Sequence, residues 1–102
     1  MFGLVVRFTC KDQASAEAFD RLVAATVDKI RTDEPGTLVY AVNRVDAEPL
    51  QRVFYELYRD RAAFDAHEEY EHTKKFLDER EQYLSATEVD WVTLLTGKGT
   101  GE

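Results

Sequence analysis

Three observations predict an α+β fold with one four-stranded antiparallel sheet and its helices on one face. Four short stretches are rich in β-branched and aromatic residues, and two longer ones repeat apolar residues at three- and four-residue spacing. These stretches follow one another as β-α-β-β-α(α)-β. Each element has its own local reason.

Phe2 to Cys10 is a short apolar run with β-branched residues, which predicts a strand. From Asp12 the period changes: Phe19, Leu22, Val23, Thr26, Val27 and Ile30 form one stripe, with charged residues largely between them. That is an amphipathic helix, capped by Asp12 or Ser15. Asp33-Glu34-Pro35-Gly36 ends it, because Pro35 disfavours helix in the residue before it and Gly36 supports a tight turn. Thr37 to Val45 and Arg52 to Arg59 are the second and third strands. The short polar link Asp46-Ala47-Glu48-Pro49 makes them an antiparallel hairpin. Asp60 caps a helix through Ala62, Ala63, Phe64 and His67, and a further helical segment carries Phe76, Leu77, Tyr83 and Leu84. Glu88 to Thr96 is the last strand.

This order makes two strand–helix–strand halves, the ferredoxin-like split βαβ arrangement. Split by parity, neither the second nor the last strand shows the apolar–polar alternation of a sheet with one wet face. Helices cover one face, and the sheet of a second copy is the economical cover for the other. A homodimer packed sheet on sheet is the expected assembly.

A chain of 102 residues, 44% of them hydrophobic, suits one domain, read as residues 1–96. Residues 97–102, GKGTGE, are expected to be a flexible tail. The net charge of −7 opposes a phosphate backbone, and no basic stripe interrupts it, so nucleic acid is not an expected partner. No apolar run is long enough for a membrane span, and the first residues lack the features of a signal peptide. Cys10 is the single cysteine, so no internal disulfide forms and a cytoplasmic location is expected. Aromatics make up 12% of the chain. They supply either a packed interior or a ring-walled pocket, and composition does not separate the two.

Both histidines lie in AFDAHEEYEHTKKF, five residues apart. Ala63, Phe64, His67 and Tyr70 share one helical stripe; His72, Phe76 and Tyr83 share another. On one straight helix those stripes diverge by about 140°. A break between Glu68 and Glu71 resolves the conflict and lets both imidazoles reach one cavity between helices and sheet. A metal clip is the rival reading, since His67 with Glu71 and Glu68 with His72 are i, i+4 pairs. The histidines do not share a face, however, and neither an HExxH motif nor a cysteine ligand accompanies them, so no metal is expected. The bland alternative is a hydrogen-bonded histidine at a helix end, and the glutamates are then a solvated face.

Several of these residues occur together in a known family. The Glu34-Pro35-Gly36 turn leads to a strand with Tyr40, followed by Phe54-Tyr55-Glu56-Leu57-Tyr58-Arg59-Asp60. Ala63-Phe64-Asp65-Ala66-His67 comes next, with His72 and Phe76 after it. In this order and spacing, from about Phe2 to Leu95, the chain resembles the antibiotic biosynthesis monooxygenase domain, a ferredoxin-like dimeric α/β barrel. The resemblance implies oxidation of quinols, anthrones or polyketide-like phenols with O₂, commonly without metal, flavin or other prosthetic group. The residues agree with it: there is no Gly-rich dinucleotide loop, no cysteine cluster and no iron triad. The expected partners are therefore a small aromatic substrate and O₂, with no cofactor.

Under that reading His72 is the expected base or hydrogen-bond partner, with His67 second. Phe64 and Phe76 are the helix-side walls of the substrate pocket, and Val6 and Phe8 oppose them on the first strand. The heme-degrading branch of the fold uses an Asn on the first strand and a Trp on the helix that carries His67 here. Val6 and His67 take those positions here, and both departures count against heme. A dimeric barrel that binds a small hydrophobic or aromatic metabolite without chemistry, as sensor, carrier or accessory protein, is the alternative of a different class.

Overall fold

The computed structural model describes residues 1–101. Strand β1 is Phe2–Cys10, helix α1 Gln13–Asp33, β2 Thr37–Val45 and β3 Glu48–Tyr58. Helices α2, Arg61–Glu69, and α3, Glu71–Glu79, follow, then a 3₁₀ turn over Arg80–Tyr83 and β4, Leu84–Thr93. The sheet order is β2-β3-β1-β4, antiparallel at every junction. This is the ferredoxin-like α+β fold expected from the sequence. Among the described residues no helix is long and apolar enough to cross a membrane.

Several strand boundaries differ from the sequence reading. β3 starts at Glu48, earlier than Arg52, because Pro49 is tolerated there: it lies beside a register shift between Arg44 and Val45, where a missing N–H does not break the ladder. β4 starts at Leu84, which the sequence pattern had placed in a helix. Leu84 pairs with Cys10, and the polar Ser85 to Thr87 segment carries no apolar signal, yet its backbone completes the edge of the sheet. β4 also ends at Thr93, short of Thr96.

The helices end where side chains take over their unpaired backbone groups. Asp12, not Ser15, caps α1: its Oδ1 accepts from the Ser15 N–H at 2.7 Å. Asp60 caps α2 by accepting from the Ala63 N–H at 2.8 Å. Thr26, the polar member of the α1 stripe, is buried because its hydroxyl donates to the Leu22 carbonyl at 2.8 Å. Between α2 and α3 the chain leaves helical geometry at one residue, Tyr70, with φ −66° and ψ 145°. The break implied by the two diverging stripes is this residue.

Leu4, Val6, Phe8 and Cys10 of β1, with Phe54 and Tyr58 of β3, point toward the helices and are buried. Phe8 packs on Phe19 of α1 and on Phe54, with ring centroids 5.3 and 4.8 Å apart. Burying each such ring contributes about 1.5–3 kcal/mol. Arg52, also on this face, is tied to Asp20 of α1 by two hydrogen bonds of 2.8 and 2.9 Å, so its charge is not left uncompensated. On the other face Val5, Tyr55 and Ala41 lie in register across three strands and are half-buried.

Candidate functional site

A cavity of about 180 Å³ lies between the sheet and the α2–α3 pair. Leu4, Val6 and Phe8 form its sheet wall, and Phe64, Phe76 and Leu77 its helix wall. Thr87, Val89 and Trp91 of β4 close one side. Trp91 packs edge-on against Phe64 of α2, their ring centroids 5.5 Å apart, yet Trp91 stays 60% and Val89 44% exposed. All four expected wall residues, Phe64, Phe76, Val6 and Phe8, therefore meet in one place.

The histidines are arranged otherwise than expected. His67 lines the cavity, whereas His72 lines a separate groove against Leu22, Thr26 and Lys29 of α1. They converge on one carboxylate instead of one cavity. Glu34 Oε1 accepts from His67 Nδ1 at 2.7 Å and from the Thr37 hydroxyl at 2.7 Å, and Oε2 accepts from His72 Nε2. The Glu34 side chain is 1% exposed. Burial pushes its pKa up, but the hydrogen bonds from His67, Thr37 and His72 outweigh that and hold it below the ordinary carboxylate value. A carboxylate only accepts, so His67 carries its proton on Nδ1 toward Glu34. Nε2 has no hydrogen-bond partner among the described residues. Tyr58 and Tyr40 flank the imidazole, their ring centroids 5.2 and 5.8 Å from it.

A second buried carboxylate, Glu56 on β3, also lines the cavity and accepts from the Tyr58 hydroxyl at 2.6 Å. Burial raises its pKa, and the Tyr58 hydrogen bond offsets this only in part. Burial raises the phenols of Tyr40 and Tyr58 as well, so both are donors and neither is a base. Cys10 is buried and its thiol is pushed up by desolvation, which makes it a core hydrophobe. Among the described residues no group of three or more His, Cys, Asp or Glu side chains is placed to hold a metal ion.

Glu56 sets a testable pH dependence. Its folded pKa lies above the ordinary 4.5, so between those values the native protein keeps a proton that the unfolded chain releases. Stability is therefore lost as pH rises through that window. Glu56→Gln keeps an acceptor for Tyr58 and cannot ionise. Urea unfolding at pH 5 and pH 8 should show the variant gaining on the parent as pH rises; a gap independent of pH would contradict the assignment.

The sequence reading missed Glu34, Glu56 and Arg80 as site residues. In the sequence Glu34 reads as part of a turn, yet a carboxylate at a helix C-terminus opposes the helix dipole and needs donors. Glu56 shares parity with Phe54 and Tyr58, a charged residue on the core face of a strand. Arg80 enters through the 3₁₀ turn and leaves no pattern in the sequence.

The site is thus a ring-lined cavity in a ferredoxin-like α+β domain, with an imidazole anchored on a buried carboxylate. Solved structures share this fold. A Bacteroides thetaiotaomicron protein named for the antibiotic biosynthesis monooxygenases superposes with TM-score 0.86 at 22% identity, over 93% of this chain and 90% of that one. A Pseudomonas aeruginosa protein gives 0.82 at 27%, over 93% and 94%. A further structure named antibiotic biosynthesis monooxygenase gives 0.83 at 25%, over 94% and 100%. No curated protein sequence matches the chain. Residues 1–79 match the antibiotic biosynthesis monooxygenase family, and the chain belongs to it.

Proposed function

We propose that the protein is a cofactor-independent monooxygenase that oxidises a small electron-rich aromatic, a quinol, anthrone or related phenol, with O₂. The observation that carries this reading is His67, with Nδ1 fixed on Glu34 and Nε2 free on the wall of a ring-lined cavity. A phenol gives up an electron readily only after losing its proton. His67 Nε2 takes that proton, and Glu34 stabilises the imidazolium that forms. The carbanion-like ring carbon is then oxidised by O₂ to a C–OOH group. Loss of water from that group leaves a carbonyl, so one oxygen atom enters the product and the other leaves as water. The substrate supplies all the electrons. Phe64, Phe76, Val6 and Phe8 hold the ring and keep water away from the reacting carbon. His72 acts through Glu34, as a positioning residue.

The test is O₂ uptake by metal-stripped protein against hydroquinones, naphthohydroquinones and anthrones, corrected for autoxidation. Saturable uptake above background supports the reading. Ligand binding without uptake would replace it with a non-catalytic binding role.

The working form in this proposal is a homodimer in the cytoplasm. Val5, Ala41 and Tyr55 form an apolar strip on the face that no helix covers, and an identical strip from a second copy matches it. Sedimentation should report about twice the 11.7 kDa chain mass. A monomer at micromolar concentration would remove the dimer from the proposal.

A further inference from the structure

Arg80 stands on the cavity wall with its guanidinium over the rings of Phe8 and Phe76, 5.3 and 5.5 Å from their centroids. It makes no hydrogen bond to any described residue, and its Nε is the one buried side-chain polar atom among them without a partner. The only acid within ion-pair range is Glu81, an exposed neighbour whose Oε1 is 3.7 Å from Nε, too far for a hydrogen bond. An arginine has five N–H donors in a planar fork; the Arg80 side chain is 22% exposed, and its Nε–H is the donor buried without an acceptor, which is costly. The Phe8 and Phe76 rings stabilise its positive charge and give no hydrogen bonds to the fork.

The rest of the cavity has the opposite character. His67 Nε2, Glu56 and Glu68 present acceptors. The ligand that satisfies both ends carries hydroxyl donors toward His67 and a planar acceptor anion toward Arg80. The volume of about 180 Å³ holds a single ring, since an apolar cavity of roughly 150 Å³ takes up benzene. We infer that the substrate is a one-ring hydroxylated aromatic bearing a carboxylate, and that Arg80 recognises this carboxylate as a bidentate partner. Burial pushes the Glu56 pKa up, which lessens its opposition to the anion.

This inference rests on the cavity being the substrate site, and its test needs no turnover. Calorimetric titrations without O₂ would compare 2,5-dihydroxybenzoate with hydroquinone. The dihydroxybenzoate should bind at least about tenfold more tightly. Arg80→Met keeps an apolar stem over Phe8 and Phe76 but removes the charge. It should abolish the preference for the acid. Arg80→Lys keeps the charge without the fork and should weaken the acid alone; if Arg80→Met does not fold, this variant decides. No binding of the acid by the parent, equal affinities, or a preference unchanged in both variants would overturn the inference. Tight binding of the acid through Arg80 without O₂ uptake would instead overturn the oxygenase reading and leave this recognition in place.

Discussion

Replacing His67 by Asn should lower turnover of a quinol by about a hundredfold or more, while substrate binding changes little. Asn can still donate a side-chain N–H toward Glu34, so the anchor on Oε1 is retained. What disappears is the basic nitrogen facing the ring. His72→Ala should have a smaller effect, because His72 lies off the cavity and reaches His67 only through Glu34. Single-turnover O₂ consumption under saturating substrate separates the two variants. If Asn at position 67 keeps more than about a tenth of parental turnover, His67 is not the base. If instead His72→Ala abolishes turnover and His67→Asn does not, the proton leaves by a different group.

The second large effect is on stability. Glu34→Ala would leave the Thr37 hydroxyl, His67 Nδ1 and His72 Nε2 without their common acceptor in a site that water does not reach. Breaking a buried charged hydrogen-bond set from one side costs about 3–5 kcal/mol. Glu34→Gln is milder but still unfavourable, because its NH₂ end must face a donor. The pH dependence follows from the lowered pKa of Glu34. Its contribution is fully present above the ordinary carboxylate value of 4.5 and is lost as pH falls through the lower folded value. The stability gap between the parent and Glu34→Gln should therefore narrow below about pH 4. Urea unfolding at pH 7 and at pH 3.5 measures it, and a gap that stays constant would show that Glu34 is not held ionised by these donors.

Strand and helix order was legible because each element kept its own period and carried its own cap, as at Asp12 and Asp60. Even the break at Tyr70 could be read, since two aromatic stripes cannot share one straight helix. The wall residues followed from the same stripes. The polar centre did not. Stripe geometry tells which face a histidine occupies, not which acid reaches it from another element. Glu34 comes from the end of α1, 33 residues from His67. His72 was therefore assigned to the cavity when its partner actually stands behind it. Arg80 depends on how a short 3₁₀ turn aims one side chain, which no period encodes.

Glu34 also governs how a ligand can get in. It sits at the end of α1 and holds one residue from α2 and one from α3, so a single carboxylate fastens three helices together behind the cavity. Swinging α2 and α3 outward as a lid would break both of those bonds. The β4 side needs no such motion, because Trp91 and Val89 remain exposed there. Rotation of exposed side chains takes on the order of nanoseconds, far faster than a helix hinge. If the cavity takes the proposed substrate, the size of the side chain at position 91 sets its capture, and stiffening the helices leaves the rate of arrival unchanged.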